Sequence, residues 1–259
     1  HPRQGALQAL VLHPSLRSVW TGNEEGRLLE VELDERSPLE RQSHVLSSEL
    51  SSLASDREGK WLAVGGWDKQ ITLFRVDAGG LQPDKVLRGH DGSISAVAFS
   101  EDGTKLASAG FDKTVRLWDV ATGTAKTLST GGDLTSALVF SVDGTRLYSA
   151  GFDFAVRSFD AKSGRPAEQT LQGHSGAIWG MGLSSDGKRL CTASQDQTVR
   201  IWELGSGRTQ TMLQGHSRAV TDCRFLPDGE HVLSSSEDKT LRLWDLATGK
   251  TQGEPLRGH

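Results

Sequence analysis

Three residue types that could together carry out hydrolysis recur at fixed spacing along the sequence. His90, Ser108 and Asp112 are the base, nucleophile and orienting carboxylate that a catalytic triad requires. These types return twice more, always with the hydroxyl 18 and the carboxylate 22 positions after the histidine, and a tryptophan follows each carboxylate by six positions. The three sets are His90, Ser108, Asp112 and Trp118; His174, Thr192, Asp196 and Trp202; and His216, Ser234, Asp238 and Trp244.

The copying of these sets favours a structural role over catalysis. An enzyme needs one activated nucleophile in one cleft, whereas a group repeated at one spacing is what a repeated fold demands. Buried hydroxyl, imidazole, carboxylate and indole groups are costly when unpaired, and linked in one chain they satisfy one another. We therefore expect three internal hydrogen-bond networks, with no catalytic residue, no metal and no cofactor.

A Gly-His marker sets the phase of these networks. It stands at 89–90, 173–174, 215–216 and 258–259, with Gly131-Gly132 in the same phase, so that the steps from His90 are 42, 42, 42 and 43 residues. Counting back through His44 to His1 gives six periods, at about 1–43, 44–89, 90–131, 132–173, 174–215 and 216–259. Periods of about 40–45 residues are typical of propeller blades.

Within a period, short alternating runs are separated by turns. The third period has runs at 94–99, 105–109 and 114–118, with turns at Asp102-Gly103 and at 111–113, and Thr122-Gly123 introduces a fourth run. Alternation predicts strands, and Asp-Gly supplies the positive φ of a tight hairpin. The sequence therefore predicts an all-β fold, a β-propeller of four-stranded antiparallel blades with six repeats. Two independent β-sandwiches would not explain so regular a phase.

Composition excludes several classes of partner. The chain has 30 glycines and a net charge of -4 without a block of either sign, which disfavours nucleic acid and anionic membranes as partners. No apolar run is long enough to cross a bilayer. Cys191 and Cys223 are too few for a disulfide framework and lack zinc-binding spacing, so we expect buried thiols in a reducing, cytoplasmic setting.

Three segments closely resemble the WD-repeat (WD40) family. They are VAFSEDGTKLASAGFDKTVRLWDV after Gly89-His90, then GHSGAIWGMGLSSDGKRLCTASQDQTVRIWEL and GHSRAVTDCRFLPDGEHVLSSSEDKTLRLWDL. The likeness is strong from 85 to 259 and fainter before. It implies that the three sets above form the structural tetrads of that family. It also implies a protein-protein interaction module that is not an enzyme and has no small-molecule substrate.

The other three repeats depart from this pattern. The fourth has Gly132 for the histidine and Phe159 for the tryptophan while keeping Ser149 and Asp153. The second has Val64 and Phe74 in place of the hydroxyl and the tryptophan, and the first has Thr21, Glu25 and Val31 at the last three positions. These repeats must depend more on apolar packing, and we expect the first to be the least rigid.

Partner binding is predicted where strands two and three of each repeat meet. The residue before the turn aspartate is Trp67, Phe111, Phe152, Gln195 and Glu237 in repeats two to six. Near the start of the first strand, Trp179 and Asp222 stand at positions that are frequent partner contacts in WD-repeat proteins. Exposed aromatics mark interfaces, although such side chains could instead fill gaps between blades.

The ends of the chain leave its context open. Because WD-repeat rings most often have seven blades, we expect either a seventh blade beyond this sequence, within a larger protein, or a ring of six closed without a shared strand. The function expected first is a scaffold or sensor that docks proteins or peptides. The alternatives are a regulatory domain of a larger signalling enzyme and, less favoured, a propeller hydrolase.

Overall fold

Strands of four to eight residues joined by tight turns account for most of the secondary structure. The computed structural model describes residues 7–12, 18–33, 39–46, 48–77, 80–128 and 132–257, and it contains no helix within them. The chain divides into two units, residues 1–132 and 133–259, each with three antiparallel sheets. The phase markers His1, Gly131 and Gly258-His259 lie outside the described residues.

The first unit contains sheets one to three, whose strands pair in chain order. Sheet one is β1 (Leu7–Leu12), β2 (Ser18–Asn23), β3 (Arg27–Glu32) and β4 (Leu39–Val45). Sheet two is β5 (Leu50–Ser55), β6 (Trp61–Gly66), β7 (Ile71–Asp77) and β8 (Gly80–Leu87). Sheet three is β9 (Ile94–Phe99), β10 (Lys105–Gly110), β11 (Val115–Asp119) and β12 (Ala125–Leu128).

The second unit contains sheets four to six, which pair in the same order. Sheet four is β13 (Thr135–Phe140), β14 (Arg146–Gly151), β15 (Ala155–Asp160) and β16 (Leu171–Gln172). Sheet five is β17 (Ile178–Leu183), β18 (Arg189–Ser194), β19 (Thr198–Glu203) and β20 (Arg208–Gln214). Sheet six is β21 (Val220–Phe225), β22 (His231–Ser236), β23 (Thr240–Asp245), β24 (Lys250–Thr251) and β25 (Leu256–Arg257).

The predicted all-β fold with one four-stranded sheet per repeat is confirmed, with one local difference. In sheet six, β24 and β25 both pair with β23, so the fourth strand is split in two. Gly253 lies between the two pieces with φ of 75°. That backbone conformation is left-handed and interrupts an extended strand.

The Asp-Gly hairpins form as their sequence predicts. Gly103 has φ of 66°, and the Asp102 carboxylate accepts hydrogen bonds from the Ser100 hydroxyl at 2.7 Å and the Thr104 N–H at 3.0 Å. The same aspartate-to-serine contact is made by Asp143 and Asp186. Local hydrogen bonding of this kind holds a turn at the end of a strand pair.

Apolar side chains are buried where neighbouring sheets pack. Leu106 and Trp118 of sheet three pack with Ile71 and Leu73 of sheet two, and Leu190 and Trp202 of sheet five pack with Val156 of sheet four. A fully buried aliphatic side chain contributes roughly 1.5–3 kcal/mol. Cys191 and Cys223 are both buried free thiols in the core between sheets five and six.

Candidate partner-binding surface

The residues of the predicted tetrads are brought together within single sheets. In sheet three the Trp118 indole N–H donates to Ser108 Oγ at 2.7 Å, and His90 Nε2 lies 2.7 Å from the same oxygen. His90 Nδ1 is 2.9 Å from Asp112 Oδ2. Since the serine oxygen accepts from the indole, its own proton is directed to Nε2, and Nδ1–H donates to the carboxylate.

The other two sets repeat this geometry. In sheet five, Thr192 Oγ1 is 2.7 Å from His174 Nε2 and 2.8 Å from Trp202 Nε1. In sheet six, the corresponding two distances from Ser234 Oγ to His216 and Trp244 are both 2.8 Å. The histidine-to-aspartate distances are 2.7 Å for His174–Asp196 and 2.8 Å for His216–Asp238.

Each aspartate also ties the network to its own turn. Asp112 Oδ2 accepts from the Asp91 backbone N–H at 2.8 Å, and Oδ1 accepts from the Thr114 hydroxyl at 2.8 Å. Burial raises the pKa of Asp112, but donation from Asp91, Thr114 and His90 outweighs it and leaves that pKa below its ordinary value. Burial lowers the pKa of His90, which the nearby Asp112 only partly opposes, so the imidazole is neutral at pH 7.

These residues are hydrogen-bonded in the order of a hydrolytic triad, but a substrate could not reach their hydroxyl groups. Ser108 and Thr192 are fully buried, and the hydroxyl oxygen of each is already bonded to an indole and an imidazole. A nucleophile must reach its substrate and then release its proton to the base. The geometry therefore favours a structural role for these groups.

Sheets one, two and four, whose repeats lack the full set of four residues, use other contacts. His44 lies in β4 of sheet one, where its Nε2 is 3.1 Å from the Leu81 carbonyl of sheet two and its ring packs on Phe74 of that sheet. In sheet four, Asp153 forms an ion pair with Arg157, and Phe159 is fully buried. In sheet one, the Asn23 side-chain oxygen accepts from the backbone N–H of Glu25 and Arg27 and closes the turn.

Two exposed aromatic pairs lie at the predicted partner-binding positions. Trp67 of sheet two and Phe111 of sheet three are each 52% exposed, and their ring centroids are 6.0 Å apart. In the second unit, Phe152 of sheet four and Trp179 of sheet five are 36% and 37% exposed, with ring centroids 5.2 Å apart in an edge-to-face arrangement. Each pair therefore joins neighbouring sheets and still presents apolar surface to solvent.

The polar residues predicted for the same surface occupy different environments. Gln195 and Glu237 are exposed at their turns. Asp222 is half-buried, pairs with Arg224 at 3.2 Å, and lies so close to Gly180 that a side chain at that glycine would collide with its carboxylate. Burial raises the pKa of Asp222, opposed by Arg224 and by the Cys223 N–H. Asp222 thus sits beside the strand that carries Trp179.

One aromatic at this surface was not singled out by the sequence pattern. Phe154 is 42% exposed and has φ of 64°, as do the turn residues at the same position in other sheets within a few degrees: Lys69, Lys113, Gln197 and Lys239. Bulky residues rarely adopt this conformation. The sequence signal for this residue is a phenylalanine at a position that is polar in repeats two, three, five and six.

Trp179 replaces a serine that connects neighbouring sheets elsewhere. The Ser51 hydroxyl lies 3.0 Å from the Gly65 carbonyl of its own sheet and 2.6 Å from the Ile94 carbonyl of the next. Ser136 makes the equivalent contacts to Ala150 and to Ile178. In sheet five, Trp179 has no such hydroxyl and instead contacts Phe152.

The described residues contain neither a metal-binding cluster nor a membrane-spanning helix. Within residues 7–257, leaving aside the gaps noted above, no group of three or more histidine, cysteine, aspartate or glutamate side chains is placed to hold a metal ion. Over the same described residues, no helix is long and apolar enough to cross a membrane.

Individual curated proteins match single repeats. The vegetative incompatibility protein HET-E-1 of Podospora anserina is 41% identical over 39 residues, which is 15% of this chain and 3% of that protein. The probable cytosolic iron-sulfur protein assembly protein Ciao1 of Drosophila mojavensis is 46% identical over 44 residues, which is 17% of this chain and 13% of that protein. The matched stretch is therefore a small part of either relative.

A protein-family comparison accounts for more of the sequence. The WD40 family, described as WD domain, G-beta repeat, matches residues 38–75, 81–119, 166–203 and 207–245. The unmatched stretch after 119 includes Gly132 and Phe159, where sheet four lacks the histidine and the tryptophan. Because these matches cover more than half of the sequence and each repeat folds as a four-stranded antiparallel sheet, the chain belongs to the WD40-repeat family.

Proposed function

We propose that this chain is a non-catalytic interaction module that docks a protein or peptide on its aromatic turn residues. The observation that carries the proposal is the pair Trp67 and Phe111, each half-exposed at the tip of a turn and in contact with the other. Turn tips are normally polar, and aromatics dominate the binding energy of many interfaces. Phe152 and Trp179 supply a second pair of the same kind.

Exposed polar residues at the same predicted positions suit a protein partner. The exposed Asp91 donates its backbone N–H to Asp112, the residue after Phe111, and Gln195 and Glu237 are exposed at the equivalent turns of the second unit. An apolar centre with a polar rim is the usual anatomy of a protein interface. The net charge of -4 gives no support to nucleic acid as the partner.

Burial of the repeated Asp-His-Ser sets supports a module without catalysis. Their hydroxyls are bonded on two sides and closed to solvent. WD40 domains are typically interaction modules, so the family membership points the same way. The free buried thiols Cys191 and Cys223 support work in a reducing compartment such as the cytoplasm.

A regulatory domain within a larger protein is the second candidate. The match to HET-E-1 covers only 3% of that protein, so a repeat of this kind also occurs in a far longer chain. In that case the docking surface would control an activity located elsewhere. The partner-binding residues would be the same.

The decisive experiment is a pull-down with the double variant Trp67→Ala, Phe111→Ala. We expect partners retained by the original chain to be lost, with the thermal unfolding midpoint unchanged because both side chains are half-exposed. The matched control, Val142→Ala with Met212→Ala, removes two exposed apolar side chains elsewhere. Equal retention by the aromatic variant, or equal loss in the control, would contradict the proposal.

A further inference from the structure

A cavity of about 630 Å³ opens between sheets four and five. Arg146 and Tyr148 of β14 line it together with Leu171 of β16 and Leu204, which follows β19. Arg146 begins β14, whereas Phe152 follows its other end, so the cavity is separate from the aromatic surface. Its volume lies within the range of small-molecule pockets.

A shortened fourth strand creates this space. β12 pairs with β11 over four residues, but β16 of sheet four supplies only Leu171–Gln172. Pro166 contacts Phe159 in an isolated bridge, and the Ala167 N–H donates to the Ser158 carbonyl. Because the residues between Ala167 and Leu171 do not continue the ladder, the edge of the sheet is left open at this point.

The wall of the cavity is polar at a strand pair that is apolar in four of the other sheets, whereas sheet one has Trp20 opposite Glu30. Tyr148 lies opposite Ser158 across the strand pair. The corresponding pairs in sheets two, three, five and six are Ala63–Leu73, Ala107–Leu117, Cys191–Ile201 and Leu233–Leu243. A hydroxyl pair in place of an apolar pair destabilises a core unless the hydroxyl groups are bound to something.

The Tyr148 hydroxyl has no partner in the part of the chain that the structure describes. The residue is only 8% exposed, and its ring packs with Leu171, Leu190 and Trp202 while the residue lines the cavity. Burial raises the pKa of Tyr148, although the nearby Arg146 opposes this, so the phenol stays protonated and can donate. Its hydrogen-bond capacity is therefore available to a molecule in the cavity.

Arg146 provides a cation without a close ion pair at the same place. Lys105, at the equivalent position in sheet three, contacts Asp119 at 2.7 Å, and Arg189 in sheet five contacts the Gly229 carbonyl at 2.7 Å. The strand partner of Arg146 is Asp160, whose carboxylate accepts from Ser163 in the following turn instead. Among the described residues, the side-chain hydrogen bond of Arg146 is a long contact of 3.5 Å to Ser158 Oγ, while its charge contributes to lowering the pKa of Asp160 without a close ion pair.

We propose that this cavity binds a small organic molecule carrying one carboxylate on an apolar body. The Arg146 guanidinium pairs with the carboxylate, the Tyr148 hydroxyl donates to it, and Leu171 and Leu204 contact the apolar body. A planar guanidinium matches a carboxylate through two hydrogen bonds. Glu168 also lines the cavity and repels a doubly charged phosphate more strongly than a singly charged carboxylate.

The test uses the full chain and 3-phenylpropionate as the probe, with calorimetric or NMR titration. We expect saturable binding of the acid and about tenfold weaker binding of its neutral amide. Arg146→Met should weaken binding of the acid about tenfold, and Tyr148→Phe, which keeps the ring, by a factor of about three to ten. Lys105→Met, at the matched position in sheet three, should leave binding unchanged.

Thermal unfolding of each variant separates a lost ligand contact from a lost fold. The proposal is overturned if the acid does not bind saturably, or if the acid and the amide bind equally. It is also overturned if phenyl phosphate binds more tightly than the acid, or if Lys105→Met weakens binding as much as Arg146→Met. Loss of binding in a folded Tyr148→Phe variant supports it.

Discussion

Trp118 and His90 meet at one hydroxyl: the indole Nε1 and the imidazole Nε2 each lie 2.7 Å from Ser108 Oγ. A single oxygen thus fixes a residue of the third strand to a residue that precedes the first. Asp112 holds the other side of the imidazole. The network therefore links the residue before β9, the strands β10 and β11, and the turn between those two strands.

Asp112→Ala should lower the free energy of unfolding by about 1–3 kcal/mol, because it leaves the buried His90 Nδ1–H without its acceptor. Urea unfolding followed by tryptophan fluorescence measures the change. The matched control is Asp153→Ala in sheet four, where Gly132 stands in place of the histidine and only the Arg157 ion pair and a contact to the Ala155 N–H are lost. We expect that change to stay below about 1 kcal/mol. Equal losses would show that the imidazole contact contributes nothing.

Stability should fall as the pH drops below neutrality. Burial lowers the pKa of His90 and His216 below the ordinary value of 6.5, against the opposing effect of Asp112 and Asp238. Below about pH 6.5 the unfolded chain therefore takes up protons that the folded chain does not, and the free energy of unfolding declines.

A second decline should follow in acid. The pKa values of Asp112, Asp196 and Asp238 lie below the ordinary value, so their contribution is complete above about pH 4 and is lost at lower pH. Urea midpoints at about pH 7.5, 6.5 and 5.5 would follow the first decline, and midpoints at about pH 4.5, 3.5 and 2.5 would follow the second. A midpoint that stays constant from about pH 7.5 to 5.5 would contradict the first decline. The variant His90→Gln should make that decline in stability shallower.

Trp179→Ser should leave the free energy of unfolding within about 1 kcal/mol while weakening partner capture. The serine hydroxyl can donate its one proton between the two carbonyls as Ser51 does, a hydrogen bond that contributes about 0.5–1.5 kcal/mol and offsets the lost contact with Phe152. Calorimetry and a pull-down measure the two effects. Ser136→Ala is the control, expected to lose stability but not partners. Undiminished capture by Trp179→Ser would remove this residue from the docking surface.

Phe154→Asn should raise the free energy of unfolding by on the order of 0.5–1 kcal/mol, since asparagine tolerates the left-handed conformation that phenylalanine holds here with φ of 64°. If Phe154 belongs to the docking surface, the more stable variant should bind the partner less well. Thermal unfolding and pull-down report on the two properties separately. A loss of stability would show that the exposed ring is packed more favourably than its surface position indicates.

The repeat phase was enough to predict the strands, the turns and the membership of the polar networks. Ser108 and Trp118 lie on adjacent strands at a register that alternation and hairpin length determine, so their contact follows from local rules. The pairing of Trp67 with Phe111 depends on how two sheets pack, and no single repeat encodes it. The Tyr148–Ser158 pair could not be predicted from the repeat, because it replaces the apolar pair of sheets two, three, five and six and the partner of Tyr148 is fixed only by strand register.

Each polar network is confined to one sheet, which determines how substitutions in one repeat affect the stability of the others. Among the described residues, the side chains of His90, His174 and His216 form hydrogen bonds within their own sheets, so removal of one set should leave the other two intact and the effects on stability should be additive. Sheet four forms without the histidine and the tryptophan of this set. Because the networks of sheets three, five and six do not depend on sheet four, that sheet can carry a different set of side chains without weakening the others.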